Sequence, residues 1–299
     1  MSFEDVMATA GRWAVATEAL AAVGAELTLA QASAAGDSPA STQRGHPDVV
    51  RALRGVSAAA GLPDLDQLPP PQRELLTGFI KMWLRQALDV LEDPARPPGW
   101  SFTDPDILRG WGRGSALVPA ALAAAAPELA DVRSFLDVGT GIGLLAIAAA
   151  GIWPNARVVG IDVWAPALKT AADNVQRAGL GDRIMLREQD VAALDDVQAY
   201  DCAWFPTFFV TEPVFEAATP RIFTSLRPGG SLVLGRMSPP PDPVAEATTA
   251  LRTIRSGGSQ LDAKRLCSAL EAAGCQGVRV LPRRGSAPME YVIGQRPVG

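Results

Sequence analysis

The sequence predicts an α/β fold: a doubly wound, mostly parallel sheet preceded by an all-helical N-terminal region. Three observations predict it. From Ser134 onward, short apolar runs alternate with helical stretches of about 10 to 15 residues, the spacing of parallel βαβ units. The run FLDVGTGIGLLAIAAA takes a buried strand through Gly139, Gly141 and Gly143 directly into a helix. Before about residue 130 the pattern is helical, in Ala-rich segments separated by loops such as QASAAGDSPASTQRGHP and GLPDLDQLPPP. The 299 residues therefore divide into a helical cap or dimerisation region, 1–130, and a sheet domain, 131–299.

In the first region, Glu4, Asp5, Arg12 and Glu18 interrupt the apolar residues, so the N-terminus reads as an amphipathic helix rather than a signal peptide or anchor. The best-defined helix, about Gln72 to Leu91, repeats Leu76, Phe79, Ile80, Trp83, Leu84, Leu88 and Leu91 every three or four residues. That spacing lays them along one face, for a core or for a subunit interface. Proline stops the helical register in EDPARPPGWSFTDP, which reads as a linker. A further helix from Asp106 to about Leu129 is broken or loosened by Gly110, Gly112 and Gly114.

In the sheet domain, strands are expected at SFLDVG, ARVVGID, RIMLREQD, YDCAWFP and GSLVLGRM. Helices fit between them at GLLAIAAAGIW, APALKTAADNVQRAG and EPVFEAATPRIFTSL. A last helix, LDAKRLCSALEAAG, leads to two apolar runs, GVRVLP and MEYVIGQR, joined by RRGSAP.

Composition narrows the function. A net charge of −5 with no basic run longer than Arg283-Arg284 gives no footprint for a phosphate backbone, so nucleic acid is not the expected partner. Cys202, Cys267 and Cys275 form no ligand cluster, which argues against a metal site and suits a reducing, cytoplasmic setting. The longest apolar tract, Ala116 to Ala126, is shorter than the roughly 20 residues a bilayer span needs.

The glycine turn lets backbone approach a ligand, and the amides at the helix start suit a carboxylate. Its spacing departs from the dinucleotide GxGxxG, with Leu144 in the third glycine's place. Asp162, followed by Val163, ends the second strand about 20 residues on, where a carboxylate accepts ribose hydroxyls. Asp190, followed by Val191, ends the third strand, and Asp201, Trp204 and Phe205 belong to the fourth. Ligands of open α/β sheets bind beyond the carboxyl ends of the strands, so these ends should converge on one crevice. The bland alternative for each acid, outweighed by the binding role, is a solvated strand-end carboxylate or a helix cap.

Taken in order, these motifs resemble the class I, Rossmann-like methyltransferases dependent on S-adenosyl-L-methionine (SAM), from about Ser134 to the C-terminus. The resemblance implies the strand order 3-2-1-4-5-7-6 with the last strand antiparallel. It implies that Asp137 and the backbone of Gly139 and Gly141 meet the methionine part of SAM. Asp162 would meet the ribose, with Val163 beside it among the cofactor-binding residues, Asp190 and Val191 the adenine, and Phe205 would border the cofactor. It also implies a small-molecule acceptor, with secondary metabolism as the analogy.

For that acceptor, Trp204, Phe208 and Phe209 form an aromatic cluster after the fourth strand, which either lines a pocket or packs the next helix. Trp111, with Arg113 and Ser115 beside it, lies where many family members cover the cofactor; it either stacks on a ligand or wedges helices together. The only histidine, His46, sits in a loop, unlike the late histidine of plant-type O-methyltransferases. The family's NPPY-type motif for amide and nucleobase nitrogens is absent, since the corresponding stretch reads DCAW. Asp201, Glu212 and Tyr200, then Glu290 and Tyr291, are candidate bases, with none singled out as catalytic. Two rival functions remain: a SAM-binding protein with a non-methylating or regulatory role, and an NAD-dependent oxidoreductase, which the glycine spacing disfavours.

Overall fold

The computed structural model describes residues 2–34, 45–238, 241–282 and 289–298. The chain forms two compact units. One comprises Met1–Pro94 and Thr103–Gly114, the other Ala95–Phe102 and Ser115–Gly299.

The helical unit contains α1 (Phe3–Ala34), α2 (Pro47–Ala59), α3 (Pro70–Glu92) and α4 (Pro105–Ser115). Gly24 lets α1 press on α3, since a Cβ there would sit 2.9 Å from Ile80 Cγ2. Val23, Leu27, Leu65 and Ile80 bury together at that contact. The expected amphipathic stripe on the N-terminal helix is not present: Phe3, Val6, Met7, Trp13 and Val15 are all exposed, and burial begins in the second half. By length and composition Phe3–Ala32 is long and apolar enough to cross a membrane.

The α3 stripe is also only partly as expected. Ile80 is buried with Leu76 and Leu84 packed on the same cluster, whereas Leu91 is 79% exposed and the buried face also takes in Arg73, Thr77, Gly78, Met82 and Gln86. Glycines redirect it: a Cβ on Gly110 of α4 would meet Met82 at 2.6 Å, and one on Gly78 would meet Arg113 at 3.1 Å. Gly110 and Gly114 therefore serve close packing, and the helix expected from Asp106 to about Leu129 is divided just after the glycines, α4 ending at Ser115 and the next helix starting at Val118. His46 is exposed and caps α2, its Nδ1 accepting from the Asp48 amide at 3.3 Å.

In the sheet unit, α5 (Val118–Ala125) precedes β1 (Ser134–Val138), α6 (Leu144–Ile152), β2 (Arg157–Asp162), α7 (Ala165–Arg177) and β3 (Ile184–Glu188). Then follow β4 (Tyr200–Pro206), α8 (Glu212–Ser225), β5 (Leu226–Met237), α9 (Pro243–Arg255), α10 (Ala263–Ala272), β6 (Gln276–Val280) and β7 (Met289–Gln295). The strand order is β3-β2-β1-β4-β5-β7-β6, parallel except for β7, which runs antiparallel to both neighbours, as the sequence predicts. Helix α9 was not foreseen, and the RRGSAP turn lies outside the described residues.

The border between the units falls at Ser115 rather than near 130. Burial explains why: Val118, Leu122, Ala126 and Leu129 join Phe135, Leu145 and Trp153 in the core on one face of the sheet. The opposite face packs Leu136, Ile161, Phe205 and Leu234 against Phe215, Ile222, Leu266 and Leu270. Two buried faces are what a parallel sheet requires.

Candidate functional site

The strand tips are tied together at the carboxyl edge, the edge where open α/β sheets bind ligands. The Thr140 amide donates to the Ile161 carbonyl at 3.0 Å, and the Gln189 amide to the Asp162 carbonyl at 2.9 Å, which extends the pairing on β2 past the ends of β1 and β3. Gly139, Gly141 and Gly143 turn the chain into α6 at φ of 67°, 54° and 78°, angles that a Cβ makes costly. A Cβ on Gly139 would find nothing nearer than Pro206 Cγ at 3.7 Å, and one on Gly141 nothing nearer than 4.0 Å. A Cβ on those two would meet neighbours only at ordinary van der Waals distance, so their left-handed φ rather than crowding calls for glycine. At Gly143 a Cβ would lie 3.0 Å from Ala171 Cβ, so the third glycine serves the packing of α6 on α7.

Asp162 clamps this turn. Its Oδ2 accepts from the Gly141 amide at 2.8 Å and its Oδ1 from the Trp164 amide at 2.9 Å, with the Val163 amide also favouring the ionised carboxylate, which still leaves acceptor capacity unused. Burial pushes its pKa up, against the amides, which favour the ionised form. Val163, next along, is 66% exposed, and Asp190 is exposed, its Oδ1 accepting from the Ala192 amide at 2.8 Å. Val191 is buried below.

Asp137 lies beneath the turn, fully buried, its Oδ2 accepting from the Thr140 hydroxyl at 2.7 Å. Burial raises its pKa from 3.8 to about 7, with the nearby Asp162 charge adding to the rise and the Thr140 hydroxyl opposing it. A folded-state pKa above the unfolded one contributes stability below the ordinary carboxylate range and loses it as pH rises through about 7. Melting curves should therefore show the wild type falling behind Asp137→Asn by roughly 5 °C between acid and mildly alkaline pH. Parallel pH profiles for the two proteins would contradict this placement of the proton.

Thr140 was not singled out by the sequence reading, although a hydroxyl three residues after an acid is a recognisable local signal. It is doubly constrained, because a Cβ on Gly160 would strike its Oγ1 at 2.7 Å.

The fourth strand corrects several expectations. Trp204 is 2% exposed, lies over Gly235 and meets Tyr291 edge-on at 5.8 Å, so it fills the core rather than an open wall. Phe205 is fully buried and stacks on Phe215 at 6.1 Å, which leaves only its backbone to border a ligand. Phe208 and Phe209 follow the strand, 4.5 Å apart, the first buried and the second half-buried. Trp111 lies on α4 in the helical unit, half-buried, and Arg113 there donates to the Glu74 carbonyl at 3.1 Å.

Among the candidate bases, Asp201 and Tyr200 start β4 and so sit at the opposite edge. Asp201 accepts from the Arg133 and Ser134 amides and pairs with Arg227 at 2.9 Å. Burial pushes its pKa up, but Arg227 and those hydrogen bonds outweigh it and hold the carboxyl low. Tyr200 is locked to Asp196 and Arg187 at 2.9 and 2.8 Å. Glu212 pairs with Arg265 at 3.3 Å. Because β7 is antiparallel, its first residues reach the carboxyl edge, where Glu290 pairs with Arg236 at 2.6 Å. Tyr291 is beside them, its pKa pushed up to about 12 by burial.

Residues 135–230, from β1 through the start of β5, match the family model described as a methyltransferase domain. This chain carries a methyltransferase domain. A stretch of it is 46% identical over 69 residues, 23% of this chain, to the release factor glutamine methyltransferase of Chlorobaculum tepidum. The match spans about a quarter of that relative, 24% of its length. Solved structures resemble nearly the whole chain, methyltransferase domain and helical unit alike. An O-methyltransferase family protein from Burkholderia thailandensis has a TM-score of 0.66 at 17% identity, over 100% of this chain and 99% of its own. Human N-acetylserotonin methyltransferase, solved with SAM, has a TM-score of 0.65 at 13% identity, over 99% and 100%. At such identities the likeness is one of fold, that of the class I methyltransferases.

Proposed function

We propose that the protein binds SAM in this crevice and transfers its methyl group to an O, N, C or S atom of a small, apolar or aromatic molecule. The observation that supports this reading best is the Asp162 clamp on the Gly141 amide, within a turn of three left-handed glycines at the carboxyl edge of the sheet. It stands on a sheet whose antiparallel β7 follows the methyltransferase order.

The residues present fit SAM. Gly139 and Gly141 leave the backbone open to the methionine part, with Asp137 beneath. Asp162 keeps lone pairs for ribose hydroxyls, Val163 offers an exposed apolar surface, and Asp190 keeps Oδ2 for the adenine amine. Bound SAM supplies an electrophilic methyl group on a positively charged sulfur. What the chain then contributes is alignment of the acceptor and exclusion of water. Glu290 is held by Arg236 and Tyr291 keeps its proton, so an acceptor atom nucleophilic in its own right fits this edge best.

The relative quoted above is named for a protein glutamine, and the two full-length neighbours for O-methyl transfer and for N-acetylserotonin. The end of β4 reads Phe205, Pro206, Thr207, Phe208, with no amide side chain, and this favours the small acceptor. The negative charge supports a partner other than nucleic acid, the three free cysteines a cytoplasmic setting, and the exposed Phe3, Met7 and Trp13 of α1 a homodimer.

Incubation with SAM and a panel of planar phenols and aromatic amines should yield S-adenosylhomocysteine (SAH) with at least one member. Tight SAM binding without product across phenolic, amine and thiol panels would favour the non-methylating or regulatory role.

A further inference from the structure

The proline-rich segment Ala95–Phe102 is more than a linker, because it belongs to the sheet unit. It is fastened there by backbone: the Gly99 amide donates to the Arg255 carbonyl at 3.2 Å, at the end of α9. Gly257, at φ 81°, approaches so closely that a Cβ on it would lie 3.0 Å from Gly99 Cα. Arg96 stiffens the strap from within, donating to the Ser101 hydroxyl at 2.6 Å and lying 4.4 Å above the Phe102 ring.

This fastening brings Trp100 to the segment that follows β4. Its ring meets Phe209 edge-on at 5.1 Å and Phe102 edge-on at 5.4 Å. Phe102 and Phe208 are the anchors, 7% and 5% exposed, and Phe208 is backed by the Gly258 turn, where a Cβ would fall 2.0 Å from its carbonyl. Trp100 and Phe209 remain half-buried. The result is an aromatic corner whose Phe209 wall follows three residues after Pro206, the residue whose Cγ a Cβ on Gly139 would meet at 3.7 Å. Edge-to-face aromatic pairs present ring faces on which a third planar ring can stack.

We propose that Trp100 is a specificity-determining residue of the methyl acceptor site, forming with Phe209 a corner that selects a flat aromatic ring over a saturated one. This rests on the reading of the crevice as a methyl-transfer site. The probes are 2-naphthol and its saturated counterpart decahydro-2-naphthol, titrated in the presence of saturating SAH against the wild type, Trp100→Ala and Trp100→Phe. The alanine variant should bind 2-naphthol about tenfold more weakly, while its affinities for the saturated alcohol and SAH change by less than about twofold; phenylalanine should keep most of the preference. In wild-type protein carrying 5-fluorotryptophan, the resonance that disappears in Trp100→Phe should shift as 2-naphthol is added. Unchanged 2-naphthol affinity in Trp100→Ala, equal loss for both alcohols, or a wild type that binds SAH but not 2-naphthol would each overturn the proposal. Failure to bind SAH at all would sink the underlying reading first, and the two failures are thereby told apart.

Discussion

Asp162→Ala is expected to weaken SAM binding by about a hundredfold or more, since two charge-assisted hydrogen bonds that fix the glycine turn and the carboxylate facing the ribose are lost together. The fold should survive, because the change also removes a carboxylate that burial penalises. Asp162→Asn is the sharper comparison. An asparagine can accept from one of the two amides that Asp162 now holds, Gly141 and Trp164, but turns its own N–H donors toward the other. It should therefore fall between wild type and alanine in affinity. Calorimetry on all three, with melting curves as a control for folding, checks the ranking. An alanine variant that binds SAM as the wild type does would remove the clamp from the account.

The second large effect is structural and concerns Trp204. A Cβ on Gly235 would lie 2.0 Å from the tip of the Trp204 ring, which is enclosed between β5 and the α5 and α6 face of the core. Gly235→Ala should cost about 2 to 3 kcal/mol and lower Tm by roughly 5 to 10 °C, because overpacked cores relax only in part. Trp204→Phe in the same protein should recover at least half of that loss, a coupling expected of residues in direct contact. If Trp204 instead stood on an open acceptor wall, Gly235→Ala would be tolerated and the double variant would show no recovery.

What was legible in the sequence is local in origin. The run from Asp137 to Gly143 combines a strand, three left-handed glycines and a helix within a few residues, and Asp162 follows at the end of the next strand, so neither needs long-range packing to be recognised. The strand order followed from the family resemblance that those motifs carry. What was missed depends on contacts far apart in sequence. Asp201 stands only a few residues from Phe205, yet the strand places it at the amino end, against Arg227 and the start of β1. Trp204 and Phe205 point to opposite faces, as successive strand residues must, and each is absorbed by a core. The prolines before Trp100 read correctly as a helix stop, but nothing local reveals that the strap returns to Phe209. The α3 stripe holds only at Leu76, Ile80 and Leu84 for the same reason: Gly78 and Gly110 draw α4 onto a face that hydropathy alone leaves polar.

Whether the glycine turn and Asp162 hold SAM is decided by titrating the purified protein with SAM, SAH and NAD. Saturable binding of SAM and SAH, with none of NAD, is the predicted result; binding of NAD in their place, or of none of the three, would contradict it.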